Sequence, residues 1–371
     1  MTSQTTRALA YFPSDGEIRL TDFPIQPLEA DEILVRITRV AFTRRDRLLL
    51  ENKSAIMPEG DNFIIPGHVA VGKVVEIGSM VKEFEPGDIV VPTIRRDCHR
   101  CIDARSDLCP HPDRYQDSGI SGAHGFARDF MTVHGRYLIK IPPQLEDLAL
   151  LLTHLSVAEK AHQEAIQIIK RYNFYCYHDS IDVVPSALIT GMGSVGIMMT
   201  YLLSLYGYRL TVFCRRESDD IRSKVLEPLD LEYINTSRIP MSRLEKAGYS
   251  FQQLFETTGD PEYMINVMPF MGPNAVMAII GVPDHDSEEK IPEVDINRVF
   301  TRMVMGNQVI FGSIKAGRDA FELAVKDLTE LSDLYGDSLV SLLTDTFPLA
   351  EYNRLLTLNT RDTIIPSLTL T

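Results

Sequence analysis

No stretch of this 371-residue chain approaches the roughly 20 apolar residues of a membrane span. The opening residues, MTSQTTRALAYFPSDGE, contain no apolar signal core, and the two absences together lead to an expected cytoplasmic location. Positive charge is also scarce. With 37 Lys and Arg against 51 Asp and Glu, the net charge of −14 argues against nucleic acid or an anionic membrane as a partner. Cysteine is sparse and odd in number. Five residues, three of them close together at Cys98, Cys101 and Cys109, suit a reducing compartment and metal binding better than a disulfide framework. Internal repeats and low-complexity segments are missing as well. What remains is 44% apolar and 24% charged, an ordinary globular composition, in a chain long enough for two domains.

The stretch that organises the chain is Ser186 to Glu217, SALITGMGSVGIMMTYLLSLYGYRLTVFCRRE. A short apolar run, 187–190, leads directly into Gly191-Met192-Gly193-Ser194-Val195-Gly196, then an apolar helix over 197–206 and a β-type run over 210–213. In a dinucleotide-binding turn the first glycine makes the tight bend, the second lets the backbone approach a pyrophosphate, and the third lets helix and strand pack closely. The helix N-terminus then offers free N–H groups and a positive dipole end to the phosphates. A lone GxGxxG is weak evidence. Its strand and helix context is what carries the expectation.

The end of the second strand bears on the choice of cofactor. An NAD site places an acidic residue there for the ribose 2′-OH, whereas an NADP site offers Arg to the 2′-phosphate. Here the residues are Cys214, Arg215 and Arg216, and two guanidiniums favour NADP. A solvated basic turn is the alternative, since Glu217, Asp219 and Asp220 lie close by.

Residues 1 to about 150 carry short β-type runs at 17–20, 32–40, 71–77, 88–92 and 137–141, separated by Gly, Pro and Asp, which predicts a mainly β domain. From Glu146 the apolar spacing turns helical through Ala161. Beyond the glycine turn, strands are expected at 231–234, 253–256, 275–282 and 308–314, and a helix over 316–331. The C-terminal segment returns to short strands that complete the first domain.

Several separated segments resemble one family, the medium-chain dehydrogenases, in its glucose dehydrogenase branch. Gly67-His68-Val69-Ala70-Val71-Gly72 is similar to its GHE signature, and Pro92-Thr93-Ile94-Arg95-Arg96 precedes the cysteines as it does there. Gly122-Ala123-His124-Gly125-Phe126, Leu155 to Ala161, Glu256-Thr257-Thr258-Gly259 and Gly312-Ser313-Ile314 also resemble that branch. The resemblance implies an α/β protein: a GroES-like, mainly β catalytic domain over 1–182 and 311–371, and a Rossmann domain with a doubly wound parallel sheet over 183–310. It implies hydride transfer between NADP and a sugar or alcohol carbon, with Gly191, Gly193, Ser194, Val195, Gly196, Arg215, Arg216, Thr258 and Val282 at the cofactor. It also implies a homodimer or homotetramer, for which the apolar run 273–282 is the expected interface strand. That run could equally be buried within the monomer.

The catalytic zinc of the family is where the chain departs. Thr43, Val69 and Thr153 stand where the resemblance places ligands, and His68 alone is kept. Such a zinc needs about three N, S or O protein ligands. His154 and Asp46 could be recruited, yet neither sits at a ligand position. The resemblance also implies a structural zinc at Cys98, Cys101 and Cys109, with His111, His99 or Asp107 as fourth ligand; a loop of free thiols is the alternative.

Candidate catalytic residues are therefore His68, Thr43 and Arg45. Unmetallated, His68 could act as general acid or base, or be a satisfied core histidine. The Arg45 guanidinium could polarise a substrate oxygen or anchor a carboxylate or phosphate; otherwise Arg44 and Arg45 form a solvated turn. Three readings follow: an NADP-dependent oxidoreductase of a sugar, polyol or related carbonyl without catalytic zinc, a zinc-independent reductase of an activated C=C bond, and a nucleotide-binding protein with little catalysis.

Overall fold

The computed structural model describes residues 5–98, 106–111, 116–172, 184–217, 219–283, 295–359 and 361–370. Its contacts divide the chain into two compact units, Met1–Thr153 with Lys315–Ser332 and Leu339–Thr371, and His154–Ile314 with Asp333–Ser338.

The first unit begins with β1 (Thr5–Phe12), β2 (Glu17–Pro24), β3 (Glu32–Ala41), α1 (Arg44–Glu51), β4 (Val69–Ile77) and β5 (Ile89–Pro92). It continues through β6 (Arg95–Arg96), β7 (Gln116–Ser118), β8 (Gly122–Ala123), β9 (Phe130–His134) and β10 (Leu138–Lys140). β3 is its organising strand, because Ile33, Val35 and Ile37 are all fully buried and join Ala8, Leu9, Phe126 and Leu138 in one core. β3 pairs antiparallel with β4 and with β9. A separate small sheet, β6-β7-β8, places Arg95 opposite Asp117.

The helix α2 (Ala149–Ile169) leads to the second unit, which contains β11 (Ser186–Thr190), α3 (Ser194–Leu205), β12 (Arg209–Cys214), α4 (Ile221–Lys224), β13 (Leu231–Asn235) and α5 (Met241–Lys246). β14 (Phe251–Glu256), α6 (Pro261–Val267), β15 (Met271–Ile279), α7 (Ile296–Gly306) and β16 (Val309–Gly312) complete it. The strands form one parallel sheet in the order β13-β12-β11-β14-β15-β16. This is the doubly wound order, with its switch point between β11 and β14. All five residues of β11 are buried, as a parallel strand covered on both faces requires.

The strand expected over 275–282 is β15, and it lies between β14 and β16. It is therefore an interior strand, and the expected interface role does not fit it: Ala275, Val276, Met277 and Ala278 are buried in the sheet. The edge on that side is β16, and sheet order is a non-local property that a lone apolar run does not carry.

The division near the second unit falls at Thr153/His154 and Ile314/Lys315, earlier than the expected 182/183 at one end and later than 310/311 at the other. Hydrogen bonds account for this. Lys160 Nζ donates to the Ile314 carbonyl (3.0 Å), Ser313 Oγ donates to Glu164 Oε2 (2.7 Å), and His162 Nε2 lies 3.1 Å from Tyr208 Oη, so most of α2 is tied to the sheet of the second unit.

The chain ends with α8 (Arg318–Val340), kinked at Tyr335, then β17 (Thr346–Pro348), α9 (Tyr352–Leu356) and β18 (Ser367–Thr369). β18 pairs antiparallel with β3 and parallel with β17, so the C-terminal strands do complete the first sheet. No helix among the described residues is long and apolar enough to cross a membrane.

Candidate active site and dinucleotide site

In the first unit the site grows from a helix start. Thr43 caps α1: its Oγ1 accepts from the Arg45 N–H (3.1 Å), while its own N–H (2.7 Å) and hydroxyl (2.9 Å) donate to Asp46 Oδ2. This is a capping box with Asp in the reciprocal position. The other carboxylate oxygen of Asp46 accepts from the Gly67 N–H (3.2 Å) and lies 2.9 Å from His68 Nδ1. Gly67 has φ +85°, and a Cβ there would come within 2.7 Å of Val40 Cγ2, so only glycine brings the chain past Asp46 into β4.

Asp46 has no exposed surface. Burial pushes its carboxyl up, but the charge and hydrogen bond of His68 and the Thr43 donors outweigh it and hold the group below the ordinary carboxylate range. It is ionised and accepts only, so Nδ1 of His68 carries the proton and Nε2 is left as the basic nitrogen.

Arg45 follows Thr43 in the first turn of α1 with its side chain exposed. A short ion pair joins Lys315 Nζ to Asp117, which Arg95 also grips through two nitrogens, Nε to Oδ1 (3.0 Å) and Nη2 to Oδ2 (3.2 Å). Burial first, then repulsion from Arg95 and Arg45, outweigh the attraction of Asp117 and hold Lys315 down at about 8.

Among the described residues, the groups at and near the expected ligand positions are engaged as follows. The Thr43 hydroxyl is spent on the helix cap, Val69 has no donor atom in its side chain, and Asp46 holds His68. His154 Nδ1 lies 3.2 Å from Ser194 Oγ in the glycine turn. A soft-ligand cluster does form at Cys98, Cys109 and His111, whose Sγ and Nδ1 atoms all lie within 4.8 Å of one another. Cys98 Sγ is 3.3 Å and Cys109 Sγ 3.8 Å from His111 Nδ1. Two thiols and an imidazole at this spacing fit a structural zinc. Cys101 and His99 lie outside the described residues.

In the second unit, the glycines of the turn behave as their spacing predicts. Gly191 has φ +87°; a Cβ on Gly196 would meet the Gly191 carbonyl oxygen at 2.4 Å and Thr257 Oγ1 at 2.7 Å. Gly193, at the N-cap of α3, has nothing within 4 Å of where its Cβ would stand, and α3 has no side-chain cap. The first backbone N–H groups of α3, those of Ser194 and Val195 among them, have no acceptor within the helix, which makes this helix start a candidate phosphate site. Glu256, fully buried at the end of β14, accepts from the Thr258 N–H (2.8 Å) and hydroxyl and lies 3.4 Å from Thr190 Oγ1, so one carboxylate braces the loop beside the turn. Burial raises its pKa despite those donors. Thr258 and Val282 lie in the loops just after the neighbouring strands β14 and β15, and the Val282 carbonyl oxygen would be 2.5 Å from a Cβ on Gly259.

Arg215 and Arg216 follow β12 at the same edge. Arg215 pairs with Asp260 (2.9 Å) and lies 5.4 Å over the Tyr263 ring; Arg216 pairs with Asp220 (2.9 Å). Asp260 also caps α6 through the Tyr263 N–H (3.1 Å). The sequence placed no acid at the strand end itself; Asp260 reaches it from the loop after β14 and Asp220 from the N-cap of α4.

The profile of the alcohol dehydrogenase GroES-like domain matches residues 29–143, and that of the glucose dehydrogenase C-terminus matches residues 146–366. The chain belongs to the glucose dehydrogenase family. Within it, glucose 1-dehydrogenase 1 of Caldivirga maquilingensis is 31% identical over 350 residues, covering 93% of this chain and 94% of that one. The glucose 1-dehydrogenase of Haloferax mediterranei is 31% identical over 334 residues, covering 87% and 88%. The crystal structure of the Haloferax mediterranei glucose dehydrogenase in complex with NADP, Zn and gluconolactone superposes with a TM-score of 0.86 over 98% of this chain and 99% of that chain, at 28% identity. An alcohol dehydrogenase from Thermotoga maritima, at 18% identity and a TM-score of 0.79 over 99% of both chains, shares the fold. As a family member the chain is a medium-chain dehydrogenase, with the GroES-like and Rossmann units that its sequence implied.

Proposed function

We propose that this protein is an NADP-dependent oxidoreductase that transfers a hydride to or from a sugar, polyol or related carbonyl, and that it works without a catalytic zinc. The observation that carries the reading is the His68–Asp46 pair: a buried carboxylate fixes the imidazole tautomer where the family would use a metal. In the oxidative direction a C–OH becomes C=O, losing a hydride from carbon and a proton from oxygen. NADP, when bound, supplies the hydride acceptor. His68 Nε2 takes the proton, and the resulting imidazolium is stabilised by Asp46 2.9 Å away on the opposite nitrogen. In reduction the same nitrogen returns the proton.

Thr43 acts through Asp46, and Gly191, Gly193, Ser194, Val195, Gly196, Thr258 and Val282 take the cofactor. Arg215 and Arg216 lie at the strand end suited to a 2′-phosphate, each held by a carboxylate that limits its swing. Cys98, Cys109 and His111, with Cys101 beyond the described residues, would hold a structural zinc whose contribution is to stability. The domain boundaries at 183 and 310 belong to the same reading, as does a homo-oligomer. The surface now favoured for association is the edge strand β16 with α7, whose Phe300 is 58%, Val304 75% and Met305 79% exposed.

The test is reduction of NADP+ by a panel of aldoses, polyols and sugar acids, alongside NADPH oxidation with enones, before and after removal of metal. Sugar- or polyol-dependent turnover that survives chelation and falls by about 10²-fold or more in His68→Ala supports the reading. Turnover only with enones, or turnover lost on chelation and restored by zinc, overturns it.

A further inference from the structure

We propose that Asp260 sets how strongly this chain prefers NADP(H) over NAD(H). It acts through Arg215, which it holds before cofactor binds as an internal stand-in for the 2′-phosphate, so that the preference is weaker than the two arginines alone would give. This rests on the NADP reading above and identifies a residue, outside the strand end itself, that tunes it.

Hydrogen bonds and ion pairs within the second unit carry it. Asp260 divides its carboxylate between two tasks: Oδ1 accepts from the Tyr263 N–H at the N-cap of α6 (3.1 Å), and Oδ2 lies 2.9 Å from Arg215 Nη1. Its own N–H donates to Thr258 Oγ1 (3.0 Å), and the Thr258 N–H donates in turn to the fully buried Glu256 (2.8 Å). The acid is therefore fixed by main chain on both sides. Arg215, with 58% of its side chain exposed, rests on the same turn of α6, its guanidinium 5.4 Å over the Tyr263 ring, and is the partner that can turn away. The arrangement recurs beside it. Asp220 caps α4 through the Arg222 N–H (2.9 Å) with one oxygen and pairs with Arg216 (2.9 Å) through the other, while Glu217 pairs with Arg238 (2.7 Å). The strand end thus presents guanidiniums already matched with acids.

A 2′-phosphate claims Arg215 only by drawing it from Asp260, and the carboxylate, tied to the helix cap, stays behind as a like charge. The gain from the new charge-assisted bonds is reduced by both terms. A ribose 2′-hydroxyl meets neither cost: it brings no charge to repel, and a carboxylate is the group to which NAD sites bind it. One acid thus acts on the two cofactors in opposite directions.

The experiment measures binding of NADPH, NADH and the fragments 2′,5′-ADP and 5′-AMP by calorimetry, to the wild type and to Asp260→Asn and Asp260→Ser. Asn and Ser both keep an N-cap acceptor for α6, so either variant removes the charge while leaving the helix start in place. NADPH and 2′,5′-ADP should bind about three- to tenfold tighter in both, the order expected of an exposed ion pair and the like-charge contact that goes with it. NADH and 5′-AMP should bind no better than to the wild type. The gain should vanish when Asp260→Asn is made in an Arg215→Ala background, a coupling that a merely structural effect on α6 would not produce. NADPH binding that weakens or stays the same in both variants overturns the proposal, as does tightening shared equally by NADH, or a gain that persists without Arg215. A wild type that binds neither NADPH nor 2′,5′-ADP is the separate result that sinks the NADP reading, and the proposal with it.

Discussion

Replacing Asp46 by Asn is the perturbation that reaches furthest into this site. The carboxylate is fully buried and engages four groups: the Thr43 N–H at 2.7 Å, the Thr43 hydroxyl at 2.9 Å, the Gly67 N–H at 3.2 Å and His68 Nδ1 at 2.9 Å. An amide has only one oxygen. If it stays toward Gly67 and His68, its NH2 confronts the Thr43 N–H; turned the other way, it confronts Gly67 and the proton on His68. At least one buried donor is left facing another donor, and the remaining contacts lose their charge. Two charge-assisted bonds at about 1.5–3 kcal/mol each give an expected loss of about 3–6 kcal/mol, overlapping the range for removing one partner of a buried ion pair. The pH dependence has a definite sign. The folded state holds Asp46 below its unfolded value, so its contribution is complete above the unfolded value near ~4 and disappears as pH falls through the folded one. Urea unfolding of both proteins at pH 7.5 and at pH 3 therefore gives a wide gap in midpoint that narrows in acid, with equal slopes. A gap under about 1 kcal/mol at pH 7.5, or one that stays the same at pH 3, would refute the reasoning.

Three further outcomes are expected. Gly196→Ala drives a Cβ to 2.4 Å from the Gly191 carbonyl oxygen, so calorimetric NADPH binding should fall below detection while the chain stays folded by circular dichroism; affinity near wild type would count against the assigned turn. Arg215→Ala/Arg216→Ala should weaken NADPH by tenfold or more and NADH much less, and equal affinities of the wild type for the two cofactors would end the case for a 2′-phosphate site. Chelation should lower the melting temperature through Cys98, Cys109 and His111 and leave turnover of still-folded protein unchanged; loss of turnover without unfolding would place a metal at the catalytic residues instead.

The nucleotide unit was legible because its signal is local. Strand, glycine turn, helix and second strand follow one another from Ser186 to Cys214 with nothing intervening. Short helices were harder. The helix over 44–51 went unread, with a solvated turn at Arg44 and Arg45 only as an alternative, although Thr43 and Asp46 spell a capping box three residues apart, a signal that would have found α1. α7 was passed over between two strands, yet Asp295 caps it and Ile296, Phe300 and Val304 recur every four residues. Other features had no local signal at all. Lys315 and Asp117 are 198 residues apart, Arg215 meets Asp260 only through the loop after β14, and the interior place of β15 depends on strands before and after it.

Thr43 also constrains the order in which this chain could change. Its hydroxyl closes the first turn of α1 and hands a hydrogen bond to Asp46. A cysteine at 43 would supply a thiolate for a metal but lose the cap, at about 1 kcal/mol. An aspartate would keep the cap and set a second negative charge beside Asp46 Oδ2, which lies 2.9 Å from the present hydroxyl oxygen, so the two acids would compete for one proton and for His68. Either step is unfavourable while Asp46 remains, and Asp46 cannot leave first without releasing His68. On the zinc-free reading proposed above, the site works as a ratchet: single substitutions at 43 are unfavourable from the present arrangement, and a metal centre is reached by changing the helix cap and the histidine's carboxylate partner together.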